Sequence, residues 1–439
     1  MQQDSELQSV TRVVNLTARE ILDSRGRPTL EATAVLTGGV FARASVPSGA
    51  SRGSREAFEK RDGDPRRFRG LGVAGVARSI ETEILPAVRG LDAADLEAID
   101  RALIRLDGSE GKERLGANAI LAVSLAIARA EARVHNSPLY ASLGSDAANL
   151  LPLPFFNVIN GGVHAPGGLD IQEFLVVPWG AASFTEALRW GAEIYAALGE
   201  ILKRDFALTG VGDEGGYVAD LKAHESALDA LVRAIELAGW RPGDDVALAI
   251  DAAASEFFEG GSYLLRRTGS KPLTASELID LYEKWLDRYP IVSVEDGLAE
   301  NDDAGWIEIT KRLGNRAQIL GDDNFVTNPA LITRGRKLGM ANAVLIKPNQ
   351  IGTLSETIQT IGVCVANGYR TQVSHRSGET CDDFIADLAV ATSAGQIKSG
   401  APCRGERVAK YNRLLEIEQE LGAHARFADR AFFSGFRSV

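Results

Sequence analysis

Five short apolar runs in the second half of the chain each end at an ionisable residue. The runs lead, in chain order, to Asp251, Glu295, Asp322, Lys347 and His375, at intervals of 44, 27, 25 and 28 residues. The last three intervals match one strand, one helix and two loops, which is the repeating unit of a parallel β/α barrel. In such a barrel the carboxyl ends of the strands form one rim. The repeat therefore predicts a barrel that gathers these five side chains in one bowl.

The beginning of the chain has a different pattern. Apolar and polar residues alternate from Thr29 to Leu36, ahead of a Gly38-Gly39 pair. This pattern predicts an antiparallel hairpin sheet over residues 12–39. A loop of small residues is expected over 41–56, and helical periodicity follows it. The first region is therefore of the α+β class.

A segment bracketed by prolines, Leu151-Pro152-Leu153-Pro154, follows a polar stretch and places the domain boundary near residue 145. We therefore predict an α/β protein with two domains. The first is a smaller N-terminal α+β domain over residues 12–145, and the second is a C-terminal β/α barrel over residues 146–439.

Composition limits the partners of the protein. The chain has 48 basic and 59 acidic residues and a formal net charge of −11, which repels phosphodiester backbones and anionic membrane surfaces. No uninterrupted apolar stretch is long enough to span a bilayer, and the beginning of the chain lacks the pattern of an export signal. The three cysteines form no CxxC pair, so neither a disulfide framework nor a zinc knuckle is indicated. We expect a cytoplasmic protein that binds neither nucleic acid nor membranes.

Three carboxylates, those of Asp251, Glu295 and Asp322, meet at the predicted rim. Three anions in one bowl repel one another unless a cation lies among them. Oxygen ligands without cysteine or paired histidine favour Mg²⁺ over Zn²⁺. The three residues are therefore candidate ligands of a magnesium ion. The structural alternative, in which surface cations pair with each carboxylate, is weaker because Lys347 and Lys398 would have to share the same rim.

Two further residues are candidates for proton transfer. Lys347 ends a very apolar run, where burial is expected to lower its pKa towards a value suited to a base. Glu214 lies in the stretch Gly212-Asp213-Glu214-Gly215-Gly216, whose glycines allow close approach of the backbone to a ligand. Glu214 is therefore a candidate acid, although such a stretch alone is most often a surface turn.

The segment 374–379 has the composition of an anion site. Arg376 carries a planar guanidinium between His375 and Ser377 at a predicted strand end, and these groups are suited to binding a phosphate. Lys398 adds positive charge to the same rim. The alternative, that Arg376 is a surface ion-pair partner, is less favoured because of its place at the rim.

Longer stretches of the sequence resemble the enolase family. The resemblance runs from about residue 12 to the C-terminus, and several stretches are too long and specific for chance or general barrel similarity. The matching stretches are Ala18–Gly26, Leu115–Leu121, Asn157–His164, Gln172–Phe174, Gly212–Gly216, Lys347–Thr353, Ser374–Thr380 and Gly395–Asn412. The resemblance implies a small α+β domain on a barrel with irregular first strands. It also implies a Mg²⁺-dependent dehydration of 2-phosphoglycerate to phosphoenolpyruvate.

The resemblance implies roles for individual residues as well. Lys347 resembles the base that removes the proton from carbon, and Glu214 resembles the acid that helps hydroxide to leave. The other positions that the resemblance assigns are the first-metal ligands Asp251, Glu295 and Asp322, the second-metal ligand Ser51 on a mobile loop, the substrate ligands Arg376, Ser377 and Lys398, and the leaving-group side His164, Gln172 and Glu173. The implied partner is a small phosphorylated or phosphonylated carboxylic acid, and we expect a homodimer or a higher homo-oligomer.

Four departures from the family pattern lie beside the inferred site. Arg52 replaces a threonine, Asn324 a leucine and Cys381 a glutamate, and Ala165-Pro166-Gly167-Gly168 replaces the usual residues after His164. The chemical groups are kept while the adjoining loops change, which suggests a paralogue with a modified substrate. The guanidinium of Arg52 is expected to bind an additional carboxylate on that substrate. The alternative for Arg52 is an outward ion pair with a surface aspartate or glutamate.

Three functions stay open from the sequence. The leading one is the plain enolase reaction. The second is an enolase-like carboxyphosphonoenolpyruvate synthase of phosphonate biosynthesis, whose product carries a carboxylated phosphorus group. The third, a non-catalytic protein that keeps the fold, is least favoured because the whole set of ionisable groups is present.

Overall fold

A computed structural model of the protein describes residues 11–144, 148–165, 168–269 and 271–433. An antiparallel sheet opens the chain, formed by β1 (Val13–Leu22), β2 (Pro28–Leu36) and β3 (Phe41–Ser45). The predicted hairpin is confirmed by the pairing of β1 with β2. The loop expected over 41–56 is wrong in its first part, because Ala42 and Ala44 are buried at alternate positions and β3 pairs along β2.

Helices pack against this sheet. They are α1 (Ala74–Ser79), α2 (Leu85–Val88), α3 (Leu96–Asp107), α4 (Ala117–Val134) and α5 (Leu139–Leu143), with a π-helical turn, Ile80–Ile84, between the first two. The long α4 contacts both β2 and β3. Alanine is the strongest helix former, and its small side chain lets the alanine-rich α4 lie close to the strands with most of its residues buried. Sheet and helices together form the predicted α+β domain.

The rest of the chain builds a closed barrel of eight strands. The strands of this part are β4 (Leu150–Leu151), β5 (Leu153–Asn160), β6 (Glu173–Val177), β7 (Gly210–Val211), β8 (Tyr217–Val218), β9 (Ala247–Asp251), β10 (Phe258–Glu259), β11 (Ser262–Tyr263), β12 (Ile291–Glu295), β13 (Gln318–Gly321), β14 (Ala343–Ile346), β15 (Arg370–Ser374), β16 (Gln396–Lys398) and β17 (Arg426–Phe427). The barrel order is β5-β6-β9-β12-β13-β14-β15-β16, and β16 pairs with β5. β6 runs antiparallel to both neighbours, so the first strands are irregular, as expected.

Helices follow most barrel strands. They are α6 (Phe184–Asp205), α7 (His224–Leu237), α8 (Ala275–Arg288), α9 (Asp303–Leu313), α10 (Pro329–Leu338), α11 (Pro348–Ile351), α12 (Leu354–Ala366), α13 (Phe384–Ala391) and α14 (Gly405–Leu421). α8 begins at a capping box in which Thr274 and Glu277 satisfy each other's backbone N–H groups. α10 begins with Asn328 as N-cap and Pro329 as first residue, a combination that favours a helix start.

The long interval of 44 residues between Asp251 and Glu295 has a structural cause, because the hairpin β10–β11 is inserted between β9 and α8. The domain boundary expected near residue 145 falls on residues 145–147, which lie outside the described residues. Among the residues that the structure describes, no helix is long and apolar enough to cross a membrane.

Alternation along the strands selects the side chains that reach the rim. Successive residues of a strand point to opposite faces, so Gln396 lies one layer below Lys398 inside the barrel. In this lower layer, Gln318 Nε2 donates to Gln396 Oε1 at 2.9 Å and to Ser293 Oγ at 3.2 Å. Gln396 Nε2 donates in return to Gln318 Oε1 at 2.9 Å, so these two amides satisfy each other beneath the ionisable residues.

Candidate active site

The five strand-end residues predicted from the sequence lie at one rim of the barrel. Asp251 and Glu295 are the last residues of β9 and β12, and the other three, Asp322, Lys347 and His375, directly follow β13, β14 and β15. These strands are parallel neighbours. Because parallel strands end at the same edge, their terminal side chains converge.

Two further barrel strands contribute to this rim. Lys398 ends β16 and Glu173 begins β6, whose reversed direction pairs Glu173 with Asp251. A pocket at the rim is lined by Ser51, His164, Gln172, Glu173, Glu214, Asp251, Ala253, Asp296, Asp322, Asp323, Lys347, Ser374, His375, Arg376, Ser377 and Lys398. The structure therefore brings together the predicted site residues apart from Arg52 and Glu295, and Glu295 contacts the pocket through Lys398.

A segment of the N-terminal domain, residues 48–61, covers the pocket, and we call it the lid loop. Ser48 and Gly378 exchange two backbone hydrogen bonds of 2.8 and 2.9 Å. The backbone N–H of Ala50 donates to Ser377 Oγ at 2.7 Å. These bonds join the lid loop to the predicted anion-binding segment of the barrel.

Arg376 is buried beneath the lid loop. Its guanidinium donates to both carboxylate oxygens of Glu56, at 2.9 and 3.1 Å, and to the backbone oxygen of Ser51 at 2.9 Å. A Cβ atom at position 49 would lie 1.9 Å from the guanidinium, so Gly49 is needed for this approach. Burial lowers the pKa of Arg376, but Glu56 raises it above the ordinary value. The predicted phosphate ligand therefore has an internal carboxylate partner.

Lys398 is buried among three carboxylates. Its Nζ lies 2.9 Å from Glu173 Oε2, 3.0 Å from Asp251 Oδ2 and 2.9 Å from Glu295 Oε1. Burial lowers the pKa of Lys398, but these carboxylates raise it well above the ordinary value. Burial and neighbouring carboxylates raise the pKa of both Glu173 and Glu295. Three carboxyl groups therefore surround one cation, and Glu173 and Glu295 lose their protons less readily than ordinary glutamates do.

Lys347 forms an ion pair with Asp322. The expected lowering of its pKa is wrong: burial does lower the pKa of Lys347, but Asp322 raises it, and the net value lies above that of an ordinary lysine. Gln350 Nε2 also donates to Asp322, at 2.8 Å. The sequence shows the apolar run before Lys347, but it does not show that Lys347 Nζ contacts Asp322, the carboxylate that follows the preceding strand.

The rim offers a donor set for a metal ion. In the described part of the chain, two groups have ligand atoms within 4.8 Å of one another, namely Asp296, Asp322 and Asp323, and His164, Glu173 and Glu214. Burial and carboxylate neighbours raise the pKa of Asp296 and Asp323. Such a surplus of buried oxygen anions is what a hard divalent cation stabilises. The residues present therefore fit Mg²⁺.

The predicted ligand set is divided between two lysines in this structure. Asp251 and Glu295 contact Lys398, whereas Asp322 contacts Lys347. Asp251 and Asp322 line one pocket, and Glu295 reaches it through Lys398. Ligation of an ion by these three residues stays a prediction.

Glu214 is surrounded by hydrogen-bonding groups of another kind. Asn157 Nδ2 donates to Glu214 Oε2 at 2.9 Å, and His375 Nε2 lies 3.3 Å from the same oxygen. His164 Nε2 lies 3.5 Å from Glu214 Oε1. Burial raises the pKa of Glu214, but His375 and His164 lower it well below its usual range. Burial lowers the pKa of His375 to about 3, so Glu214 is a carboxylate beside a neutral ring at neutral pH.

Arg52 lies in the lid loop but not in the pocket. Its guanidinium forms an ion pair with Glu59, and its side chain is 44% exposed. Arg61 pairs with the same carboxylate. Arg52 therefore forms an ion pair, as its alternative expected, but the partner is a glutamate of the lid loop that is only 11% exposed and not a surface residue. The guanidinium thus has an anionic partner without an additional carboxylate on the substrate.

The other departures are placed as follows. Asn324 is buried beside Gly321, and its side chain has no hydrogen-bond partner among the described residues. Cys381 is exposed. In the segment after His164, Ala165 and Gly168 are described, whereas Pro166 and Gly167 lie outside the described residues.

Sequence reasoning missed several residues of the site, and one of them is Asp323, which lies beside Asp322 in the pocket. Asp296 directly follows Glu295 at a strand end, so a second acid could have been found there. Glu56 carries no sequence signal that links it to Arg376, since the contact joins two domains. Arg407 lies in a helical segment and reaches the site only through the tertiary fold.

Two family models match the chain. The enolase N-terminal domain matches residues 13–143, and the enolase C-terminal TIM barrel domain matches residues 148–435. The chain belongs to the enolase family. The resemblance and fold class expected from the sequence are thus confirmed. The enolase-family protein is an enzyme of the enolase superfamily, whose members bind Mg²⁺ and act on small acids, and its buried carboxylates suit that chemistry.

Proposed function

We propose that this enolase-family protein dehydrates 2-phosphoglycerate to phosphoenolpyruvate. The proposal is carried by one observation: Lys347, Glu214 and Arg376 line one pocket, and they supply a base, a carboxyl group and an anion ligand. The reaction removes a proton from C2 and hydroxide from C3. It therefore needs a base, an acid and electrostatic stabilisation of the intermediate charge.

The base in this proposal is Lys347. It must be neutral before it can take the C2 proton, and its ion pair with Asp322 keeps it protonated. That ion pair therefore has to weaken when substrate is bound. Asp251, Glu295 and Asp322 would hold Mg²⁺, which as a Lewis acid supplies stabilisation of the negative charge on the substrate carboxylate.

The acid step uses Glu214, with Glu173 beside it. The pKa of Glu214 lies below its usual range in the free site, whereas that of Glu173 lies above it. Glu214 therefore has to gain a proton when substrate binds. The substrate's negative charges favour this gain, because nearby anions raise the pKa of a carboxyl group. The proton then joins the leaving hydroxide, which departs as water.

The substrate's phosphate binds at Arg376 and Ser377 in this proposal. Arg376 has to share its guanidinium between the phosphate and Glu56, since both carboxylate oxygens of Glu56 are bonded to it. The lid loop with Ser51 covers the pocket and excludes water, which strengthens every charge interaction inside it.

The test is an assay of the purified full chain with 2-phosphoglycerate and Mg²⁺, followed through phosphoenolpyruvate formation and exchange of the C2 proton with solvent. We expect Lys347→Ala to lose exchange by at least about 1,000-fold, because no base remains. Glu214→Gln should keep exchange and lose product formation. The exposed Lys271, which pairs with Glu277 at the surface, gives the control variant Lys271→Ala. Equal loss of exchange in the two site variants would contradict the assigned roles.

A carboxyphosphonoenolpyruvate synthase is the second candidate. The departures at Arg52, Asn324 and Cys381 in loops beside the site favour it, whereas the ion pair of Arg52 with Glu59 weakens its main argument. The same assay with a carboxyphosphono substrate in place of 2-phosphoglycerate separates the two. A higher kcat/KM for the phosphonate would assign the second function.

A further inference from the structure

A guanidinium lies fully buried beneath the predicted substrate-binding segment. Arg407, in the first turn of α14, donates to the backbone oxygens of Arg376 at 2.5 Å, Ser377 at 2.6 Å and Asp213 at 2.9 Å. Its Nη1 lies 2.7 Å from His375 Nδ1. This one side chain therefore joins the turn that carries Glu214 to the segment that carries His375.

The fold makes room for this arrangement at Gly400. A Cβ atom there would lie 2.6 Å from the backbone oxygen of Glu214, 3.0 Å from Arg407 Cδ and 3.1 Å from His375 Cε1. The positive φ of 79° at Gly400 also disfavours other residues. The absence of a side chain at Gly400 thus leaves the space in which Arg407 and His375 lie.

The contact determines which nitrogen of His375 carries its proton. A guanidinium has N–H donors and no acceptor, and it stays protonated in proteins. At 2.7 Å from Arg407 Nη1, His375 Nδ1 must therefore accept. A ring whose Nδ1 accepts a hydrogen bond has no hydrogen on that nitrogen, so it is the neutral imidazole and not the cation. A neutral imidazole with an accepting Nδ1 has its hydrogen on Nε2.

The Nε2–H group faces Glu214. His375 Nε2 lies 3.3 Å from Glu214 Oε2, the oxygen that already accepts from Asn157 Nδ2 at 2.9 Å. The hydrogen bond from Asn157, with the N–H of His375 Nε2 only 3.3 Å away, disfavours a proton on Oε2. Among the residues that the structure describes, the group found beside the other oxygen, Glu214 Oε1, is His164 Nε2, at 3.5 Å.

We propose that Arg407 is a positioning residue that fixes His375 in the Nε2–H tautomer, and that His375 and Asn157 thereby reserve Oε2 of Glu214 as an acceptor and leave Oε1 to carry the proton. The second step rests on the proposed function. In that step the Oε1–H bond breaks, the proton joins the departing hydroxide to form water, and Glu214 returns to its carboxylate.

Nitrogen-15 NMR of the full chain labelled at histidine tests the tautomer without any activity. The chain has five histidines, and His375→Gln and His224→Gln variants assign the signals of these two rings. We expect His375 to show an unprotonated Nδ1 and a protonated Nε2. His224 is the internal reference, because its Nε2 accepts from the backbone N–H of Ile171 at 3.4 Å and its tautomer should be the reverse. A protonated Nδ1 on His375 at neutral pH would overturn the proposal.

Variants of Arg407 test the cause. Arg407→Lys keeps a donor and should keep the tautomer, whereas Arg407→Met removes the donor and should give mixed tautomers of His375. The control is Arg404→Met, because Arg404 donates to the backbone oxygens of Gly212 and Ser24 without touching His375. If Arg407→Met does not fold, the wild-type spectrum and the Arg407→Lys variant still test the proposal. Loss of the Nε2–H tautomer in Arg407→Lys would contradict the role of a donor at position 407.

Two substitutions of His375 test the step that rests on the proposed function. The amide N–H of glutamine can take the place of Nε2–H, whereas the shorter asparagine replaces only Nδ1. We expect His375→Gln to keep kcat within about 10-fold and His375→Asn to lose about 100-fold or more, with KM little changed. Equal losses would overturn the assignment of Oε1. The two proposals can fail separately. If His375 shows the expected tautomer but the protein does not dehydrate 2-phosphoglycerate, the role of Arg407 is supported and the proposed function is overturned.

Discussion

The pocket has two halves that hold a buried lysine in different ways. In the first half, Lys398 contacts three carboxylates that all come from barrel strands. In the second half, Lys347 contacts the single carboxylate of Asp322, near the lid loop and Arg376. The side chain of Lys398 is 3% exposed and that of Lys347 is 13% exposed. The first half therefore holds its lysine with three carboxylates, and the second half holds its lysine with one.

This difference separates the roles of two chemically identical groups. A lysine held by three carboxylates keeps its proton, because each anion adds to the cost of losing the positive charge. A lysine held by one carboxylate changes its pKa when that partner is drawn away. Lys398 is therefore suited to holding charge, and Lys347 to moving a proton.

The largest expected effect is that of Lys398→Met on stability. Removal of the cation leaves three buried carboxylates uncompensated, and removal of one member of a buried pair costs about 3–5 kcal/mol. We expect a loss of about 5 kcal/mol in the free energy of unfolding, measured in urea. The exposed Lys271, whose side chain is 75% exposed, gives the control Lys271→Met, for which little change is expected.

A second substitution sharpens this test. Glu173→Gln in the Lys398→Met background removes one of the uncompensated charges, so part of the lost stability should return. If Lys398→Met is as stable as the wild type, the first half of the pocket is not a charge cluster that depends on this lysine.

Lys347→Met should cost less. Only Asp322 loses its partner, and Gln350 Nε2 still donates to it at 2.8 Å. We expect a loss of about 3 kcal/mol in the free energy of unfolding, measured in the same urea series. A loss equal to that of Lys398→Met would break the comparison, because the two halves would then depend on their lysines to the same degree.

Glu56→Gln tests whether the second half is joined to the lid loop. The amide cannot form two charge-assisted bonds with Arg376, and bonds to charged groups contribute about 1.5–3 kcal/mol. We expect a loss of about 2 kcal/mol in the free energy of unfolding, together with faster tryptic cleavage after Arg52 and Arg55 as the loop opens.

The matched control for this variant is Glu59→Gln. The side-chain partners of Glu59, which are Arg52, Arg61 and Ser48, all lie within the lid loop itself. Its loss should leave the loop attached to the barrel and the cleavage rate unchanged. Equal acceleration in both variants would show that Glu56 has no special part in closing the loop.

The sequence predicts the strand-end residues of both halves but not their contacts with distant segments. Strand ends follow from local spacing, so Asp251 and Glu295 in the first half and Asp322 and Lys347 in the second are predicted together with the barrel. Contacts between distant segments leave no such pattern. The pairing of Arg376 with Glu56 crosses from one domain to the other, and the pKa of Lys347 depends on a rotamer that brings its Nζ to Asp322. Neither has a periodic signal in the sequence.

The smallest expected effect is that of Arg52→Thr. The pair of Arg52 with Glu59 is partly exposed, with 44% of the Arg52 side chain accessible, and such pairs contribute about 0–1 kcal/mol. Glu59 keeps Arg61 as a partner in the variant, so its carboxylate is not left uncompensated. We therefore expect a change below about 1 kcal/mol in the free energy of unfolding, and an unchanged ratio of kcat/KM between 2-phosphoglycerate and a carboxyphosphono substrate. A changed ratio of kcat/KM would mean that Arg52 leaves Glu59 to bind the larger substrate. Arg52 would then be a substrate-binding residue.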